Sequence, residues 1–71
     1  MQIQLSRHEA EALRDLLRHR IVELDTEINR TDSLTFKHDL RQLDRAIERV
    51  LGEVSAALAR EEKTRGTEVT V

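Results

Sequence analysis

Two stripes of apolar residues at helical spacing, divided by one short polar break, constrain this chain more than any other feature. The first is Ala10, Leu13, Leu17, Ile21, Leu24 and Ile28; the second is Phe36, Leu40, Leu43, Ile47, Val50, Val54 and Ala57. Steps of three and four residues return a side chain to the same face of an α-helix, since each residue turns it by about 100°. A half-buried strand would need alternation in twos, and neither stripe has it. The chain therefore reads as two long helices with a reversal between them.

The two stripes differ in period. The first covers 18 residues in five steps, a mean of 3.6, which suits a nearly straight helix. The second runs in steps of 4, 3, 4, 3, 4 and 3, a strict seven-residue repeat of the kind that packs as a left-handed coiled coil. Leu16, Leu51 and Leu58 widen these faces beyond a single seam. The second helix is the longer, so it is expected to overhang the first near residues 55–62, leaving Leu58 for a second subunit or a partner.

The boundaries follow from capping chemistry. Residues 1–5 form a short lead-in. Ser6 and Glu9 have the spacing of a capping box, in which hydroxyl and carboxylate each satisfy the other residue's amide. The first helix is expected over residues 7–29, the turn over 30–33 and the second helix over 34–62, within a hairpin spanning 6–63. Asn29 can take the left-handed conformation that stops a helix. Asp32 or Ser33, with Thr31 as the alternative, can cap the second helix. A connection this short makes the helices antiparallel neighbours. Gly66 is a reasonable stop, and residues 64–71 are expected to form a flexible tail. Val69 and Val71 could add a short strand to a partner.

Size decides the next step. A chain of 71 residues with no Cys has neither disulfide nor thiolate metal site to reinforce it. Such small domains often complete their core by oligomerising. One hairpin leaves part of each stripe wet, and two packed face to face would cover it. The fold expected is thus an all-α antiparallel two-helix hairpin paired as a homodimeric four-helix bundle. The residues expected at the dimer or partner interface are Leu16, Leu17, Ile21, Leu24, Leu43, Ile47, Val50, Leu51, Val54 and Leu58. Gly52, inside the second helix, reads either as a tolerated surface glycine or as a point of close helix approach.

Charge narrows the partners. A net charge of −2 argues against general nucleic-acid affinity, which needs a concentrated basic field. The best candidate binding feature is a basic ridge at intervals of four: Lys37, Arg41, Arg45 and Arg49. It could meet an acidic helix or a phosphate backbone, although Asp44, Glu48 and Glu53 flank it. Arg14 and Arg18, with Glu23 and Glu27, could set the pairing of the first helix with the second. Arg20 borders the first stripe, where it either covers apolar surface with its stem or pairs with an acid of the second helix.

Catalytic and metal chemistry find little footing. His8 and His19 lie eleven residues apart, about 16 Å along a helix, so they cannot share one metal ion within a hairpin. His38 and Asp39 are adjacent and point about 100° apart. No catalytic residue, metal or cofactor is assigned, and the protein is expected not to be an enzyme. No apolar run reaches the roughly 18 residues of a membrane span. Residues 1–5 lack the pattern of a secretory signal, which with the absence of Cys suggests a cytoplasmic location.

The segment Glu27-Ile28-Asn29-Arg30-Thr31-Asp32, followed by Phe36 and Leu40, resembles small bacterial proteins of unassigned function that carry an E-I-x-x-T-D turn element. The likeness covers residues 9–54. It implies a helical hairpin in which Thr31 and Asp32 are turn and cap residues. It also implies that Phe36 plugs the space beneath the turn, toward Ile28 or Leu24. It brings no catalytic residues. Two roles remain: self-association and protein binding through apolar helix faces, or a regulatory or nucleic-acid-associated accessory role through the basic ridge.

Overall fold

The computed structural model describes residues 2–64 and 68–71. A short strand β1 (Gln4–Ser6) leads into helix α1 (Arg7–Arg30), followed by helix α2 (Leu34–Thr64) and a second short strand β2 (Glu68–Thr70). The helices pack against each other as a hairpin. Their bounds differ by only one or two residues from those the stripes suggest.

Ser6 closes β1 and opens α1. Its backbone is extended (φ −68°, ψ 161°), its Oγ accepts from the amide of Glu9 at 3.1 Å, and Glu9 Oε1 accepts from the amide of Ser6 at 2.8 Å. Two amides that the start of a helix would otherwise leave without partners are thereby satisfied. The bond from the Ser6 amide, then the bond involving its hydroxyl, hold the Glu9 carboxyl below its ordinary pKa.

The reversal takes three residues. Asn29 stays helical, and α1 ends instead on the extended Thr31 (φ −87°, ψ 136°), whose amide donates to the Glu27 carbonyl at 3.1 Å. Ser33 caps α2: its Oγ accepts from the amide of Phe36 at 3.3 Å, and its carbonyl from that of Lys37 at 2.9 Å. Phe36 is not the plug that the turn element implies. It is more than half exposed, and the space near the turn is filled by Leu24, Ile28 and Leu40, with Ile47 against them.

A second cluster fills the open end of the hairpin. Ala10, Val54, Ala57, Leu58 and Val69 are buried together, with Leu5, Leu13, Leu17 and Val71 packed around them. The expected flexible tail at 64–71 is corrected at residues 68–71, while residues 65–67 lie outside the described residues. Glu68–Thr70 pairs antiparallel with Gln4–Ser6, placing Leu5 opposite Val69. Reciprocal bonds of 2.9 Å between the backbones of Ile3 and Val71 extend the ladder. The expected helix stop at Gly66 lies outside the described residues.

Length explains why the strands settle there. α2 has 31 residues and α1 has 24, so α2 outruns α1 by about 10 Å. On this overhang Ala57 and Leu58 are covered by the chain's own terminal strands, and Leu58 is buried within one chain. Ordering residues 68–71 costs on the order of 4–8 kcal/mol of backbone entropy. Burying one valine stabilises by about 1.5–3 kcal/mol, which does not suffice. Burial of Val69 and packing of Val71 and Leu5 must act together with the ladder.

Candidate protein-interaction surface

The seven-residue repeat of α2 separates into two rows. Leu40, Ile47 and Val54 form the inner row, which lies in the two cores. Phe36, Leu43, Val50 and Ala57 form the outer row, displaced by about 50° around a helix with that repeat. Ala57 is buried beside the small sheet, whereas Phe36, Leu43 and Val50 are 53%, 44% and 44% exposed. Three of the four outer residues therefore stand open to water along one line. On helical-wheel geometry Leu16 of α1, 65% exposed, borders the same side of the hairpin.

This outer row ends in a cleft. Ile3 and Val71, from the edge of the sheet, face Ala46, Arg49, Val50 and Glu53 of α2 around a volume of about 490 Å³. The walls are mainly apolar, with Arg49 and Glu53 contributing opposite charges at the rim. Sequence reasoning missed Ile3, Ala46 and Val71 as wall residues, because they converge only once the terminal strands pair. Phe36 was read as a turn residue, although its seven-residue spacing to Leu43 and Val50 already aligned it with them.

The residues expected at an interface divide accordingly. Leu16, Leu43 and Val50 are exposed, Leu17, Ile21, Ile47 and Leu51 are half-buried, and Leu24, Val54 and Leu58 are buried inside the chain. The last three are corrected from interface to core, since α1, α2 and β2 already cover them.

The basic ridge is a spiral. Residues at intervals of four drift by about 40° per step, so Lys37 and Arg49 lie about 120° apart around α2. Only Arg49 reaches the cleft. Arg41, Arg45 and Arg49 are exposed and make no ion pair within 4.0 Å among the described residues.

On α1, Arg20 pairs with Glu27 of the same helix at 3.2 Å, two turns away, and not with an acid of α2. Arg14 contacts its neighbour Asp15 at 3.2 Å. Arg14, Arg20 and Glu27 thus meet partners on α1 itself. His19 Nε2 lies 3.7 Å from Glu23 Oε1, and His38 Nε2 lies 3.0 Å from the Gln42 side-chain nitrogen. Among the described residues, no three His, Cys, Asp or Glu side chains converge in a manner that could hold a metal ion. Asp44 Oδ1 is buried without a hydrogen-bond partner, and nothing in the structure explains it.

Gly52 faces open space, with nothing within 4 Å of an added Cβ. Inside one chain no helix approaches it closely. No helix is long and apolar enough to cross a membrane among the described residues.

Comparison with protein-family models, curated proteins and solved structures finds no match to this chain.

Proposed function

We propose that this protein acts by self-association and protein–protein binding, with the outer row of α2 as its contact surface. The observation that carries this reading is the exposed line of Phe36, Leu43 and Val50. A strict heptad repeat lines both rows along one packing seam, and in the single chain α1 covers the inner row and leaves Phe36, Leu43 and Val50 of the outer one half open. Large apolar side chains aligned on one face are the usual mark of a contact surface, and the single Phe of the chain is among them. Two hairpins joined through this face make a homodimeric four-helix bundle.

Light scattering on the purified protein and on Leu43→Asp tests the reading. The parent chain is expected to assemble. The variant is expected to keep its helical circular dichroism and lose the assembly, since Leu43 lies outside the core. Equal masses for the two, both that of a single chain, would overturn it.

The exposed Arg41, Arg45 and Arg49 support a second reading, as a regulatory or nucleic-acid-associated accessory protein. Salt-dependent retention on a nucleic-acid column, abolished in an Arg41→Gln/Arg45→Gln variant, is its test. The spiral course of the ridge weighs against it, because a duplex backbone is followed more readily by a compact basic patch.

A further inference from the structure

We infer that the occupant of this surface is a second copy of the chain, lying antiparallel along α2 about a two-fold axis at Leu43, with each Phe36 seated in the other copy's cleft. This rests on the self-association proposed above and specifies its geometry.

Symmetry of spacing comes first. Phe36 and Val50 stand seven residues to either side of Leu43, about 10 Å each way along the helix. A two-fold axis at Leu43 sets Phe36 of one copy opposite Val50 of the other. Val50 is a wall of the cleft that Ile3, Ala46 and Val71 complete. The chain's single Phe, half exposed in the single chain, thus meets an apolar recess. Buried aromatic anchors in pockets are what dominate the energetics of protein interfaces.

Charge then selects the direction. The flank of the outer row carries Asp39 and Glu53, with Arg49 next to them. In the antiparallel arrangement Arg49 lies within one turn of the second copy's Asp39. In a parallel arrangement Arg49 would stand ten residues, about 15 Å along the helix, from the second copy's Asp39, and that attraction is lost.

The small sheet gives a third, steric argument. It packs at the open end, on Ala57 and Val54. Parallel copies would bring both sheets to the same end of the shared face. Antiparallel copies keep them at opposite ends, each beyond the other copy's turn, and leave Phe36, Leu43 and Val50 free to meet.

The full chain has no Cys, Trp or Tyr, so a single introduced probe is unique. Spin labels on Gln42→Cys and on Gly52→Cys, both at exposed positions, report the direction by pulsed dipolar spectroscopy. The antiparallel arrangement offsets the two Gly52 labels along the helix by about 24 Å more than the two Gln42 labels, because residue 52 is farther from the axis. Equal distances for the two sites would overturn the arrangement and leave self-association standing. No dipolar coupling at either site, with a single-chain mass, would overturn both. Phe36→Trp reports the anchor: its emission is expected to shift to shorter wavelength as concentration drives assembly, and Val71→Asp should abolish that shift. Unchanged emission in an assembled Phe36→Trp protein would overturn the seating of Phe36 in the cleft.

Discussion

The two ends of this hairpin carry similar apolar patterns and meet different fates. At the open end the outer row of α2 is covered, because the terminal strands fold across Ala57 and put Val69 into the core. Toward the turn none of the described residues plays that part, and Phe36 and Leu43 stay in water. A heptad row therefore specifies a surface that needs covering and does not specify what covers it. One end uses the chain's own termini. The other, on the reading advanced above, uses a second chain.

Substitutions can break or sharpen that contrast, and the largest effect belongs to the closed end. Val69→Asp buries a carboxylate in the open-end cluster, where Val69 has no exposed surface. A loss on the order of 3 kcal/mol or more is expected, a large share of what a domain this small has. Denaturant titration followed by circular dichroism measures it. An idle tail would give no change.

The next comparison sets the inner surface against the outer. Leu24→Ala removes a fully buried side chain and should cost about 2–5 kcal/mol. Leu43→Ala, on the half-exposed row, should cost the folded single chain about 1 kcal/mol or less and act mainly on assembly. Equal costs measured at a dilution that dissociates any assembly would remove the distinction between the two rows. Ile47→Asp belongs with the inner row and should unfold the chain.

Ser6 joins sheet to helix, and Ser6→Ala should cost about 1 kcal/mol. The same capping box has a pH signature. The Glu9 carboxyl is held below its ordinary value of 4.5 by the Ser6 amide and hydroxyl. A group whose folded pKa is depressed stabilises the fold above its unfolded pKa and loses that contribution as pH falls through the folded one. Stability should thus decline on acidification below about 4.5, and Glu9→Gln should lessen that decline. An acid limb identical in the two proteins would refute the assignment to Glu9.

Gly52→Ala should have the smallest effect. The new methyl meets nothing within 4 Å, so helix propensity alone predicts a gain of about 0.5–1 kcal/mol. Assembly should be untouched, since Gly52 lies off the outer row. Loss of assembly in Gly52→Ala would place a second helix where none is proposed.

How much of this the sequence reveals depends on the range of the interaction. The helices, the capping box at Ser6 and Glu9, and the reversal before Leu34 were legible because each depends on residues a few positions apart. The inner row was legible as a stripe, though its separation from Phe36, Leu43 and Val50 was not. A heptad repeat marks both rows as one seam, and that α1 packs mainly on the inner row is set by the hairpin's geometry. The sheet escaped because Leu5 and Val69 are far apart in sequence. Ile3-Gln4-Leu5-Ser6 and Glu68-Val69-Thr70-Val71 do alternate, but segments this short gain order only by meeting each other. The cleft depends on that meeting, so Ile3 and Val71 could not be assigned to it beforehand. The Phe36 plug failed for a related reason: Leu24, Ile28 and Leu40 already fill the space near the turn.

The central claim is that the outer row of α2 is completed by another molecule of the same chain. Thermal unfolding recorded at two protein concentrations about a hundredfold apart tests it directly, because assembly stabilises by mass action. The melting temperature of the parent chain should rise with concentration, and that of Leu43→Asp should not. A single melting temperature for the parent chain at both concentrations, with a mass of 8.3 kDa throughout, would contradict the claim.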